Sequence, residues 1–196
     1  MSLQENLPPE GEDQPEDDRR YLIATGTAQY EHLPGDLPSV EEDLRRIHRL
    51  LCEEGTYQQS IEELGEDLAL NPDSGELRTA LDEWFSSEDR TPEDVAVVYY
   101  SGHGGIEGEN GMERHYLLPR KSKRNLFTST ALPTEEIAQY IGKSSLRHVL
   151  LLLDTCFAGY GSGEITQNLS GLQDFFSEEN VHVSIIAASW PKGKAH

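Results

Sequence analysis

The sequence predicts an α/β domain built on a mostly parallel sheet with helices on both faces. Four short apolar runs, YLIATG, VAVVYYS, HVLLLLD and VHVSIIAA, are bounded by turn signals and rich in β-branched and aromatic residues. They are almost continuously apolar rather than alternating, as expected of strands covered on both sides. Helical periodicities separate them, and that order of elements is the signature of a parallel sheet wrapped by right-handed crossovers.

In chain order, residues 1–20 come first. Glu10, Glu12, Asp13, Glu16, Asp17 and Asp18 crowd a proline-bearing stretch with few apolar groups to offset its ordering entropy, so it reads as a disordered or loosely attached acidic tail. Residues 21–26 form the first strand. A helix follows over 39–54, where Ser39 and Glu42 have the spacing of a capping box and Val40, Leu44, Ile47 and Leu51 make one apolar stripe. A weaker strand is placed at 60–64 and a helix at 73–87. Residues 95–101 are the second main strand, and the GHGGIEGENGMERH segment after it is glycine-rich and polar enough to read as a mobile loop. A helix at 133–141, the strand 148–154, a helix at 167–177 and the strand 181–188 complete the pattern. Residues 21–196 are read as one domain.

Composition excludes several function classes. Sixteen Lys and Arg face 36 Asp and Glu, a formal charge of −20, which disfavours nucleic acid and anionic lipid and favours a basic partner. No apolar run is long enough to span a bilayer, and no basic region followed by an apolar stretch opens the chain, so the expectation is a cytoplasmic protein away from the membrane. Two cysteines make no disulfide framework. Cys52 sits in a helical stripe after Leu50 and Leu51, where packing explains it. His32, His48, His115, His148, His182 and His196 show no zinc-ligand spacing, so no metal site is expected.

Two strands run into reactive side chains. Residues 95–101 lead into Gly102, His103, Gly104 and Gly105, and residues 148–154 into Thr155, Cys156, Phe157, Ala158 and Gly159. In parallel sheets the ligand site lies beyond the carboxyl ends of the strands, so neighbouring strands would bring both groups to one rim. A thiol needs a base to become a strong nucleophile, and an imidazole can supply it and later protonate a leaving amine. The amides of Gly104 and Cys156 are candidates for an oxyanion hole. Alone, such a cysteine is most often a small buried hydrophobe and such a histidine a solvated turn residue or a metal ligand. Together, each ending a buried strand and flanked by glycine, they point to peptide hydrolysis.

The segments Tyr99-Tyr100-Ser101-Gly102-His103-Gly104 and Leu153-Asp154-Thr155-Cys156-Phe157-Ala158-Gly159 resemble the two active-site motifs of the caspase and metacaspase superfamily, and Tyr116-Leu117-Leu118-Pro119 resembles the stretch that follows the histidine motif in bacterial members. The interval of 53 residues between His103 and Cys156 is close to the roughly 50 seen in caspases. Residues 21–195 are covered by the resemblance. It implies a caspase-like three-layer sandwich and a cysteine endopeptidase acting through a thioester, in a large-subunit portion without the C-terminal p10-like part. That part is expected as a partner fragment or chain. Caspases carry glutamine two residues before the nucleophile, whereas metacaspases carry aspartate and cleave after Arg or Lys; this chain has Asp154. Asp43 and Ser101 match the other metacaspase positions of the first substrate pocket, which implies a protein or peptide substrate with a basic residue before the scissile bond. Phe157 and Arg120 depart from the pattern, at positions where metacaspases usually carry histidine and aspartate. No cofactor is expected. Calcium, an activator of many metacaspases, stays open because no loop of alternating acids and glycine supports it.

Three alternatives stand beside the protease reading: a caspase-like enzyme with a different first-pocket preference, a non-catalytic caspase-fold module that binds or regulates a partner, and a flavodoxin-like phosphate binder. The last is opposed by Glu41, Glu42 and Asp43 at the first helix start, which repel phosphate. Bacterial relatives of this kind are linked to defence and regulated cell death, and the resemblance extends that role to this chain as an expectation.

Overall fold

The computed structural model describes residues 18–60, 69–108, 114–157 and 182–188. The expected helix at 167–177, residues 1–17 of the acidic tail and residues 61–64 of the weak strand lie outside them. The expected α/β architecture, a mostly parallel sheet between helices, is what forms.

Strand β1 (Arg20–Gly26) begins where Arg19 is anchored: its guanidinium sits 2.8 Å from Asp94 Oδ2, a carboxylate that is itself buried. From there β1 pairs in parallel with β4 (Val95–Glu107), from Arg20 opposite Val95 to Gly26 opposite Ser101. The other edge of β1 carries the short parallel strands β2 (Gln58–Ser60) and β3 (Ala69–Leu70). Strand β7 (His148–Phe157) lies parallel to β4 over ten register pairs, and β8 (His182–Ala188) lies parallel to β7.

The glycine-rich segment departs from expectation. Residues 102–107 are not a loop: β4 runs on through them, and β5 (Arg114–Leu117) pairs antiparallel with Gly104–Glu107, followed by β6 (Leu132–Pro133) on β5. Because Gly104 pairs with Phe157 on one edge, β5 occupies the other, past the end of β1. Glycine normally weakens a strand because it offers nothing to pack. Here close approach reverses the argument, since a Cβ on Gly105 would fall 2.6 Å from the Phe127 ring.

The period of two along β4 sorts its side chains between two cores. Val97 and Tyr99 join Leu22 and Ala24 under α1 (Ser39–His48), which buries Val40 and Leu44. Ala96, Val98 and Tyr100 join Ile23, Leu151 and Leu153 under α2 (Ser74–Phe85) and α4 (Thr134–Lys143). Each wholly buried Leu or Ile contributes about 1.5–3 kcal/mol, so both faces are held by many independent contacts. Between β5 and β6 a single helical turn, α3 (Phe127–Thr130), packs Phe127 against Tyr116 and Leu118.

The helix starts show why local signals misplace caps. At α1 the expected Ser39 box does not form: Pro38, at φ −64° and ψ −17°, already has helical geometry, so Ser39 is inside the helix and no side chain caps it. The box forms at α2 instead, where Asp73 Oδ1 accepts from the amides of Gly75 and Glu76 and Glu76 Oε2 accepts from the Asp73 amide at 2.7 Å. The 39–54 helix also ends its α-geometry at His48 and continues as a π-helical turn, Arg49–Glu53, which leaves Leu51 and Cys52 half-buried against the core, the packing role expected of Cys52.

Candidate active site

The expected site residues of the sheet lie near the carboxyl end of β7 and where β4 runs past the end of β1. In register, Ser101 is opposite Asp154 and His103 is opposite Cys156. Residues two apart on a strand share a face, so Ser101 and His103 continue the row of Val97 and Tyr99 on the α1 side of the sheet. The backbone pairing thus puts positions 103 and 156 side by side.

His103 is held by a segment that the sequence did not single out. The loop over residues 27–37 leaves β1, and its path is set by Asn71, whose Oδ1 accepts from the amides of Ala28 and Gln29 at 2.8 and 2.9 Å. Asn71 itself has φ 60°, a left-handed conformation that asparagine tolerates. From this loop the carbonyl of Gly35 accepts a hydrogen bond from His103 Nε2 at 2.6 Å. A carbonyl can only accept, so Nε2 carries the proton and the neutral ring keeps its lone pair on Nδ1. Nδ1 is buried and has no hydrogen-bond partner among the described residues. The Tyr30 ring lies 4.5 Å from the imidazole, centroid to centroid. Gly35, following Pro34 and at φ 88°, carried a visible turn signal; Tyr30 carried none, because a lone aromatic in a loop has no pattern.

The three acidic-pocket candidates also come together. Asp43, half-buried between Val40 and Leu44 on α1, is close enough to Asp154 for its charge to act there. Partial burial and then the Asp43 charge raise the Asp154 carboxyl above its usual range, although the residue keeps an open side to solvent; Tyr99 pulls it the other way. Tyr99 lies beneath them, buried, and its hydroxyl interacts with Ser101 and Asp154. Burial, with the charges of Asp154 and Asp43, pushes it up to about 12 against the opposing effect of Ser101, so it stays a neutral donor at physiological pH. No cation among the described residues forms an ion pair with either carboxylate at salt-bridge distance.

Gly104 is buried, and a Cβ there would meet Thr155 Cβ at 3.0 Å. Packing therefore accounts for glycine at this position whatever its amide does. Arg120, the departure from the metacaspase pattern, lies 3.5 Å from Glu31 in the loop that carries Tyr30, and its carbonyl accepts from the Glu31 amide. Among the described residues no helix is long and apolar enough to cross a membrane.

A parallel sheet between two helical layers, with a histidine and a cysteine in register at its carboxyl rim, has the architecture of caspase-type cysteine peptidases. Residues 19–190 match the caspase domain, and the chain belongs to that family. No curated protein matches the chain.

Proposed function

We propose that the protein is a cysteine endopeptidase that cleaves after Arg or Lys, with Cys156 as nucleophile and His103 as base and acid. The pairing of His103 with Cys156 in register carries this reading, together with the tautomer imposed by Gly35, which leaves Nδ1 to accept the thiol proton. The thiolate attacks the scissile carbonyl, and the oxyanion is received by the amides of Gly104 and Cys156. Nδ1–H protonates the departing amine, leaving a thioester. Water then attacks the thioester while Nδ1 takes its proton, and that proton returns to sulfur as the acid product leaves. Across this cycle the Gly35 carbonyl keeps its hydrogen bond from Nε2–H and so holds the ring's orientation.

The substrate side follows from the carboxylates. Asp43 and Asp154 repel one another, and a guanidinium or ammonium between them would remove that repulsion and form charge-assisted hydrogen bonds. A full-length sample should hydrolyse a peptide reporter with Arg before the cleaved bond, and Cys156→Ala should reduce the rate by at least about a thousandfold, the scale on which losing a covalent nucleophile acts. Cleavage that survives Cys156→Ala would overturn the assignment.

A further inference from the structure

We infer that Tyr30 is a positioning residue for His103, acting through a hydrogen bond to the histidine's own backbone and a contact with its ring. The inference rests on the reading of His103 as the base. The His103 amide donates to Tyr30 Oη at 2.6 Å. The hydroxyl of Tyr100, which is wholly buried, lies near Tyr30 and interacts with it. Tyr100 Oη donates to the Leu118 carbonyl at 3.0 Å, and the Leu118 amide donates to the His103 carbonyl at 3.0 Å. His103 is thereby fixed at both backbone polar groups, while the Tyr30 ring, tilted 34° to the imidazole, limits its rotation.

Tyr30 is itself anchored on both sides. Its amide donates to Asp36 Oδ1 at 3.1 Å, and the next amide, that of Glu31, donates to the Arg120 carbonyl at 3.0 Å. Loop 27–37 therefore delivers two groups to one imidazole: the Gly35 carbonyl at Nε2 and the phenol at the ring face and amide. Gly102 shows how little slack the site has, since a Cβ there would lie 2.8 Å from Tyr100 Oη and 3.0 Å from Tyr30 Oη. A methyl group at this position crowds both hydroxyls, so Gly102→Ala should disturb the bond between Tyr30 and the His103 amide.

The test uses the full chain in two forms. In a Cys156→Ala background with 15N-labelled histidine, the unsubstituted loop should show one dominant His103 tautomer, protonated at Nε2. Tyr30→Phe keeps the ring contact and removes the acceptor; Tyr30→Leu removes both. We expect the His103 signal to shift in the first and to report mixed tautomers in the second. In the Cys156 form, kcat for an Arg reporter should fall about threefold to tenfold for Tyr30→Phe and about a hundredfold for Tyr30→Leu, with KM little changed. A folded Tyr30→Leu protein with the original tautomer and kcat would overturn the inference; should that variant not fold, an unshifted His103 signal in both Tyr30→Phe and Gly102→Ala would do so. If even the unsubstituted enzyme ignores every reporter, the protease reading fails, while the tautomer signal still decides the role of Tyr30.

Discussion

At the carboxyl rim of the sheet, two corners two register pairs apart are built on opposite terms. Around His103 the backbone amide, the backbone carbonyl and Nε2 each have a partner, which leaves Nδ1 as the group without one among the described residues. Around Asp154 two carboxylates are held near one another over a buried tyrosine, and partial burial together with the Asp43 charge disfavours ionisation of Asp154. A satisfied polar network rigidifies a site, whereas uncompensated like charges cost stability until a ligand arrives. One corner holds the proposed base in a fixed orientation. The other carries a repulsion that, on the proposed reading, a cationic ligand would relieve.

The largest test of this contrast is Asp154→Asn. Removing one of two charge-assisted partners should lower kcat/KM for an Arg reporter by about ten- to a hundredfold, mostly through KM, while a reporter with a neutral residue at that place changes little. The same corner should be sensitive to acid. Because the Asp154 carboxyl is raised, the affinity for the basic reporter should begin to fall at a higher pH than an ordinary carboxylate would impose. Equal losses for basic and neutral reporters would remove Asp154 from the pocket.

On the other side of the comparison, His115, which packs behind the His103 segment, should make the fold sensitive to acid. It lies in β5 behind Gly104, with Nδ1 2.6 Å from Thr134 Oγ1, and burial pushes its ring down to about 4. The unfolded chain binds a proton near the ordinary value of 6.5, so between that value and about 4 the unfolded state holds more protons than the folded one. Stability is therefore complete above the upper value and is lost as pH falls toward the lower, by about 3 kcal/mol. Urea midpoints at several pH values, compared with those of His115→Asn, measure this contribution. Parallel curves for the two proteins would show that His115 does not titrate in this way.

The main strands and helices were legible because each buries a face whose period appears in the chain: Val97 and Tyr99 alternate with Val98 and Tyr100 on β4, and the two sets separate onto different cores. The positions of His103 and Cys156 were legible from the apolar strands that lead into them, although β4 does not end there but continues to Glu107. Their adjacency was not, since it depends on β4 and β7 being neighbours in register. The extension of β4 through residues 102–107 was hidden for a different reason. Gly104 and Gly105 have no pattern of their own, and what makes them strand is the close approach of Thr155 and Phe127 from elsewhere in the chain. Tyr30 and the Gly35 carbonyl escaped for the same reason, as contacts set by tertiary packing.

The smallest expected effect separates the two corners by sign. Asp43→Asn removes a charge that opposes ionisation of Asp154, so the folded protein should gain about 0.5 kcal/mol at neutral pH, the scale of a solvent-screened charge pair. The carboxyl of Asp154 should move back toward its usual range, and selectivity for a basic reporter should fall. A variant more stable and less selective is the mark of a charge kept for binding rather than folding. Tyr30→Phe should go the other way, losing stability and rate together, because its bond to the His103 amide serves both. Thermal melts of the two variants, side by side with reporter selectivity, decide whether the rim is divided as described; a loss of stability in Asp43→Asn would mean that its carboxylate supports α1 rather than the pocket.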